Sequence, residues 1–235
     1  MTLGDTYVGT SGWSYRGWIG PFYPEGTSAS RMLSEYAAAG LGSVEAHSTY
    51  RKRPTAETLA KWITAVPESF RFAPKAHAAI SHQRDLDGIE GRTAAFFTAL
   101  ESLGGRRGPV MYSLPHKHVD LDRLDRLLGA IPNGALAAFE LDPVWHQPAV
   151  LDRLDARGST LVIVDRDGDD APAASTCGAF SYVRLRRTRY SEGDIEAWAE
   201  RLQQLRSGGR DVYAFVRHDD AGDAPQWARA LQESV

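Results

Sequence analysis

Residues 136–165 read LAAFELDPVWHQPAVLDRLDARGSTLVIVD. Leu136 to Leu141 is a short apolar run, Pro148 to Ala156 carries a helical pattern, and Thr160 to Asp165 is apolar again. Strand, helix and strand within about 30 residues is the length of one βαβ crossover unit, which joins parallel strands. The same alternation runs outward in both directions. Strands are expected at Tyr7–Thr10, Ser43–His47, Arg71–Lys75 and Pro109–Ser113 before this stretch, and at Ser181–Leu185 and Val212–Val216 after it. Helices are expected at Ser30–Ala39, Ala56–Ala65, Arg92–Leu103, Leu121–Ala130, Glu192–Leu205 and Ala224–Gln232. Strict alternation favours a parallel sheet covered by helices. Eight units in 235 residues favour closure into an α/β (β/α)8 TIM-type barrel, an eight-stranded parallel sheet with surrounding helices. A doubly wound open sheet is the runner-up. It would carry a glycine-rich phosphate loop after its first strand, and Gly9-Thr10-Ser11-Gly12-Trp13 is not that fingerprint. Arg166 to Gly178 reads as a loop with little helix. No linker or low-complexity tract interrupts the chain, so residues 1–235 are expected to form a single domain.

Composition is that of an ordinary soluble protein, 43% hydrophobic and 24% charged. A formal net charge of -3 argues against broad nucleic-acid binding. Cys177 is the one cysteine, so no intramolecular disulfide can form, as suits a reducing compartment. No signal peptide and no apolar run of membrane-spanning length are visible. A cytoplasmic location without membrane association is therefore expected; oligomeric state is not legible.

Strand parity sorts side chains into two faces. Val44 and Ala46 alternate with Ser43, Glu45 and His47; Phe72 and Pro74 with Arg71, Ala73 and Lys75. Phe139 and Leu141 alternate with Ala138, Glu140 and Asp142; Val183 and Leu185 with Tyr182, Arg184 and Arg186. The apolar member of each pair should face helices and the other should point inward. Parity in the last strand is ambiguous, since Phe215 and Val216 are both apolar. Glu45, Lys75, Glu140, Asp165 and Arg184 thus sit at or near the C-terminal ends of five strands, where barrel enzymes place their chemistry. The plain alternative is a salt-bridge network that only fills the interior.

Gly9-Thr10-Ser11-Gly12-Trp13-Ser14-Tyr15, with Trp18, Phe22, Tyr23 and Pro24, resembles the opening signature of the DUF72 (YecE-like) family. Val44-Glu45 with Ser48-Thr49, Phe70-Arg71-Phe72 with Lys75, Phe139-Glu140-Leu141 with Trp145, and Tyr182-Val183-Arg184-Leu185 continue the resemblance in order. It implies a barrel and no established reaction. The departures cluster at strand ends: His47 stands where the family pattern has Asn, Arg51 where it has Tyr, and Asp142 where it has Arg. Arg186-Arg187 replaces His-Gly, and Arg217-His218-Asp219 replaces Asn-Asn-Asp. These changes describe a divergent member with altered chemistry, or one that has lost its activity.

The candidate catalytic set is Glu45, His47, Lys75, Glu140 and Asp165, carboxylates and a histidine for proton transfer with a lysine as electrostatic stabiliser. The candidate substrate-binding set is Trp13, Tyr15, Arg51, Asp142, Trp145, Arg184, Arg186, His218 and Asp219. Arg184, Arg186, Arg187 and Arg189 crowd the end of the seventh strand, where barrels often hold phosphate, and arginine suits phosphate or carboxylate. Arg51, Lys52 and Arg53 add positive charge beyond the second strand. His47, His218, Glu45, Glu140, Asp142 and Asp165 are of metal-ligating type, but no short ligand motif is present and cationic neighbours oppose a divalent ion. No cofactor is expected. An enzyme of hydrolase, lyase or isomerase type acting on a small anionic substrate is the leading reading. A nuclease-like protein and a non-catalytic ligand-binding barrel are the alternatives.

Overall fold

The structure is a computed structural model describing residues 3–83, 86–115, 117–169 and 177–235. Strands β1 (Thr6–Ser11), β2 (Ser43–Ala46), β3 (Arg71–Pro74), β4 (Val110–Ser113) and β5 (Ala137–Glu140) match the expected positions closely. The expected sixth strand is two pieces, β6 (Thr160–Leu161) and β7 (Ile163–Asp165), followed by β8 (Phe180–Leu185) and β9 (Asp211–Val216). Between them lie α1 (Met32–Ala38), α2 (Ser48–Arg51), α3 (Ala56–Ala65), α4 (Ala78–Ser81), α5 (Ile89–Leu100), α6 (Leu121–Ala130), α7 (Pro148–Ala156), α8 (Glu192–Arg206) and α9 (Asp223–Glu233). The short α2 and α4 at the C-terminal ends of β2 and β3 are absent from the sequence reading. Residues 170–176 of the expected loop, and His116, lie outside the described residues.

Helix starts follow local chemistry. The Thr55, Asp120 and Ser191 side chains accept from backbone N–H groups of the first turns of α3, α6 and α8. Asp194 returns the bond to the Ser191 backbone N–H, completing a capping box. Pro148 opens α7, where its missing N–H costs nothing.

Every pairing between the described strands is parallel. One sheet runs β3-β2-β1-β9-β8-β7, the other β4-β5-β6. They meet on two flanks. Gly108 N–H donates to Phe72 O at 2.7 Å and Ala76 N–H to Met111 O at 2.8 Å, linking β3 to β4. On the other flank the chain breaks at Val162, so that β6 pairs with β5 and β7 with β8.

Two apolar layers follow the parity reading. Val44, Phe72, Phe139, Ile163, Val183 and Val216 pack with the helices. Ala73, Met111, Ala138, Val162, Tyr182 and Phe215, drawn from both sheets, form a second cluster on the inner face. Phe215 is therefore the inward residue of the last strand, which the sequence left undecided. Burying each large side chain contributes about 1.5–3 kcal/mol. The first loop seals one edge: Trp18 is fully buried, and its Nε1–H donates to Asp219 O at 2.8 Å, tying the first loop to the last.

β1 and β2 approach so closely that a Cβ on Gly9 would lie 1.9 Å from Ser43 O. Gly9→Ala is expected to cost about 3 kcal/mol through overpacking, a fall of roughly 6–12 °C in Tm for a chain of this size. Gly129→Ala in α6, with nothing within 4 Å of the added methyl, should raise stability by about 1 kcal/mol. Thermal melts of both variants check the pair.

Candidate functional site

β2 delivers Glu45 to the inner face, and its side chain is fully buried. A buried carboxylate must be paired or hydrogen-bonded to stay charged, and Glu45 is both. Arg184 Nη2 donates to Glu45 Oε1 at 2.8 Å, Tyr182 Oη to Oε2 at 2.8 Å and Ser11 Oγ to Oε1 at 3.2 Å. His47 Nε2 also meets Glu45 Oε1. Arg184 is nearly as buried as Glu45 and uses its other terminal nitrogen on Glu140 Oε2. Arg166 closes the chain from outside, with Nη2 at 2.9 Å from Glu140 Oε1. One guanidinium thus joins the ends of β2, β5 and β8.

Burial alone would push the Glu45 carboxyl up; the Arg184 guanidinium and His47 outweigh it and hold that carboxyl well below the usual range. Burial likewise opposes charge on Arg184, but Glu45 and Glu140 bind its proton more firmly than in free arginine. Burial and the Glu45 charge raise Tyr182 well above a free phenol, so it stays a donor.

Around this core stand cations that form no ion pair among the described residues. Lys75 lies over the Tyr50 ring at 4.8 Å; burial and then Arg184 lower its pKa. Arg186 is lowered by the same two causes, and its Nη1 is buried without a hydrogen-bond partner. His218 stacks on Tyr15, with ring centroids 4.7 Å apart. Its Nδ1 is buried without a partner, and burial, His47 and Arg186 lower its pKa. Burial and Glu45 raise Tyr15 to about 12.

The structure brings Glu45, His47, Glu140 and Arg184 together, with Lys75, Arg186, His218 and Tyr15 beside them. It places the remaining candidates elsewhere. Asp165 shares its register with Ile163 on the helix side, while Val164 packs on the inner face. The Asp165 carboxylate accepts from Arg187 Nε at 2.9 Å, Tyr190 Oη at 3.0 Å and Trp198 Nε1 at 3.0 Å. Arg187 also binds Asp194 at 3.1 Å, so it is not free for a ligand. Trp145 is fully buried in the helix-side core. Trp13 packs edge-on against Trp62 at 5.1 Å. Asp142 caps the turn at Pro143–Trp145, Asp219 accepts from the N–H groups of Gly222, Asp223 and Ala224 at the start of α9, and Arg51 is exposed at the end of α2. Ser11, Tyr182 and Arg166 complete the network without having been singled out. Tyr182 was legible, since it shares the inward register of Arg184; Arg166 lies in a loop with no periodic signal. Among the described residues no group of three or more His, Cys, Asp or Glu is placed to hold a metal ion, and no helix is long and apolar enough to cross a membrane.

The model of the family described as "Protein of unknown function DUF72" matches residues 7–235. A stretch of 109 residues is 29% identical to the UPF0759 protein YecE of Escherichia coli K12, spanning 46% of this chain and 37% of that protein. A crystal structure of a DUF72 family protein from Thermotoga maritima superposes with a TM-score of 0.82 at 22% identity, covering 97% of this chain and 98% of the other. Another from Enterococcus faecalis gives 0.81 at 20% identity, covering 97% and 94%. These likenesses establish the fold and carry no reaction with them.

The two buried carboxylates give separate expectations. Glu45 has a depressed folded pKa, so its stabilisation is present above the ordinary glutamate value of about 4.3 and is lost as pH falls through the depressed one. Denaturant titration of Glu45→Gln from neutral to acid pH should show lower stability at neutrality and a flatter acid limb. Asp165→Ala leaves three donors unsatisfied and should cost about 2–4 kcal/mol.

Proposed function

The chain belongs to the DUF72 family, and we propose that its two sheets close as one eight-stranded barrel whose mouth binds and acts on a small phosphate- or carboxylate-bearing molecule. The observation that carries this reading is the positive charge that Lys75 and Arg186 hold outside any ion pair among the described residues. Both are partly buried, neither forms an ion pair, and Arg186 Nη1 has no hydrogen-bond partner among the described residues. Leaving buried charge unpaired is costly. An oxyanion between these two side chains would relieve that cost.

Arg184 is not the anion's ligand in this reading, because Glu45 and Glu140 already hold its two terminal nitrogens. Glu45 is equally unsuited to donate a proton, since Arg184 keeps it ionised. Its role is to hold and polarise His47, a carboxylate behind a histidine. His47 is part-exposed and can move a proton to or from the bound molecule. Tyr15 and His218 form a stacked wall beside it. A cytoplasmic location, expected from the cysteine count, belongs to the same proposal.

The Arg184–carboxylate pairs favour a second reading, a non-catalytic ligand-binding barrel in which this core is purely structural. Calorimetric titration with inorganic phosphate at neutral pH tests the shared premise. Arg186→Met should weaken binding by about tenfold or more, as expected for loss of one charge-assisted contact; unchanged binding, or none in the parent protein, would overturn the anion site. A screen of phosphate and carboxylate esters then separates the readings: turnover lost in His47→Gln with binding retained supports the enzyme. Binding without turnover across the screen supports the non-catalytic barrel.

A further inference from the structure

A cavity of about 480 Å³ opens between the segment following α2 and the start of α5. Among the described residues it is lined by Arg53, His77, Ala79, Ile80, Arg92 and Ala95, with two glycines. It shares none of these residues with the mouth described above. Its size lies within the usual range for small-molecule pockets.

Arg92 lies in the second turn of α5, and its Nε and Nη2 are both buried without a hydrogen-bond partner among the described residues. Those two nitrogens form one edge of the guanidinium, the edge that grips a carboxylate or phosphate through two parallel hydrogen bonds. Arginine keeps its charge under all ordinary conditions, so deprotonation offers no escape from the cost of that unsatisfied edge. The carboxylate two residues earlier, Glu90, makes its ion pair with Arg126, at 3.4 Å, and has only a longer-range attraction to Arg92. Arg53 is exposed and adds a second cation to the rim. His77 Nδ1 accepts from Ala79 N–H at 3.1 Å, so its Nε2 carries the proton and is a donor. The other side chains lining the cavity, Ala79, Ile80 and Ala95, are apolar.

We propose that this cavity is a separate binding site for a small oxyanion on an apolar body, gripped by the Nε/Nη2 edge of Arg92, with Arg53 and His77 as further donors and Ile80 against the apolar part. Carboxylate and phosphate share the recognition chemistry, and the probes separate them.

The test is calorimetry of the full chain with benzoate, phenyl phosphate and inorganic phosphate, on the parent protein, Arg92→Met and Arg186→Met. Arg92→Met should weaken benzoate or phenyl phosphate by about tenfold or more, while Arg186→Met leaves that binding intact. The stronger of the two probes identifies the head group, and weaker binding of inorganic phosphate at this site confirms the apolar body. Because the Nε/Nη2 edge of Arg92 meets no hydrogen-bond partner among the described residues, the Tm of Arg92→Met should be unchanged or higher. Equal loss of the aromatic probes in Arg186→Met would move them to the mouth and overturn the second site. So would no binding in the parent protein, or binding indifferent to Arg92→Met. A Tm lower by many degrees in Arg92→Met would assign Arg92 a structural role and also overturn it.

Discussion

Arg184 is buried between two carboxylates that arrive on different strands. A guanidinium cannot give up its proton to escape a dry environment, so its partners must come to it. Glu45 and Glu140 are therefore held in place, and with them the ends of β2 and β5. Glu45 then fixes His47, Tyr182 and Ser11. Lys75 and Arg186 become the surplus charges because Arg184 has taken both acids. The proposed anion site follows from what that one side chain leaves over.

Much of this was legible in the sequence, for a simple reason. In a parallel sheet covered by helices, the helix-facing side of each strand is mostly apolar, so a charged residue in the opposite register points inward. Glu45, Glu140, Lys75 and Arg184 were placed correctly by parity alone. The strand positions themselves came from alternation, which survives without any knowledge of pairing.

Parity failed where it had no contrast. Ile163-Val164-Asp165 offers apolar residues in both registers, and Asp165 went to the helix side, where Tyr190 and Trp198 supply polar hydrogens. Trp145 and Asp219 also lie near strand ends, but the same stretches serve packing and helix capping. Nothing in one chain distinguishes an aspartate that caps α9 from one that meets a substrate. Arg92 was invisible for a different reason: that its Nε and Nη2 meet no partner among the described residues shows only in three-dimensional placement.

The break at Val162 has a mechanical side. β4, β5 and β6 join the larger sheet through a few hydrogen bonds on one flank and a kinked strand on the other. Glu140 ends β5, whereas Arg184 belongs to β8. Their ion pair is thus a clasp across the seam between the sheets. Any change that parted Arg184 from Glu140 would unfasten it, and the three-stranded segment would breathe more freely, as a unit of local opening. How stiffly the smaller sheet is held to the larger one thus rests in part on a single guanidinium.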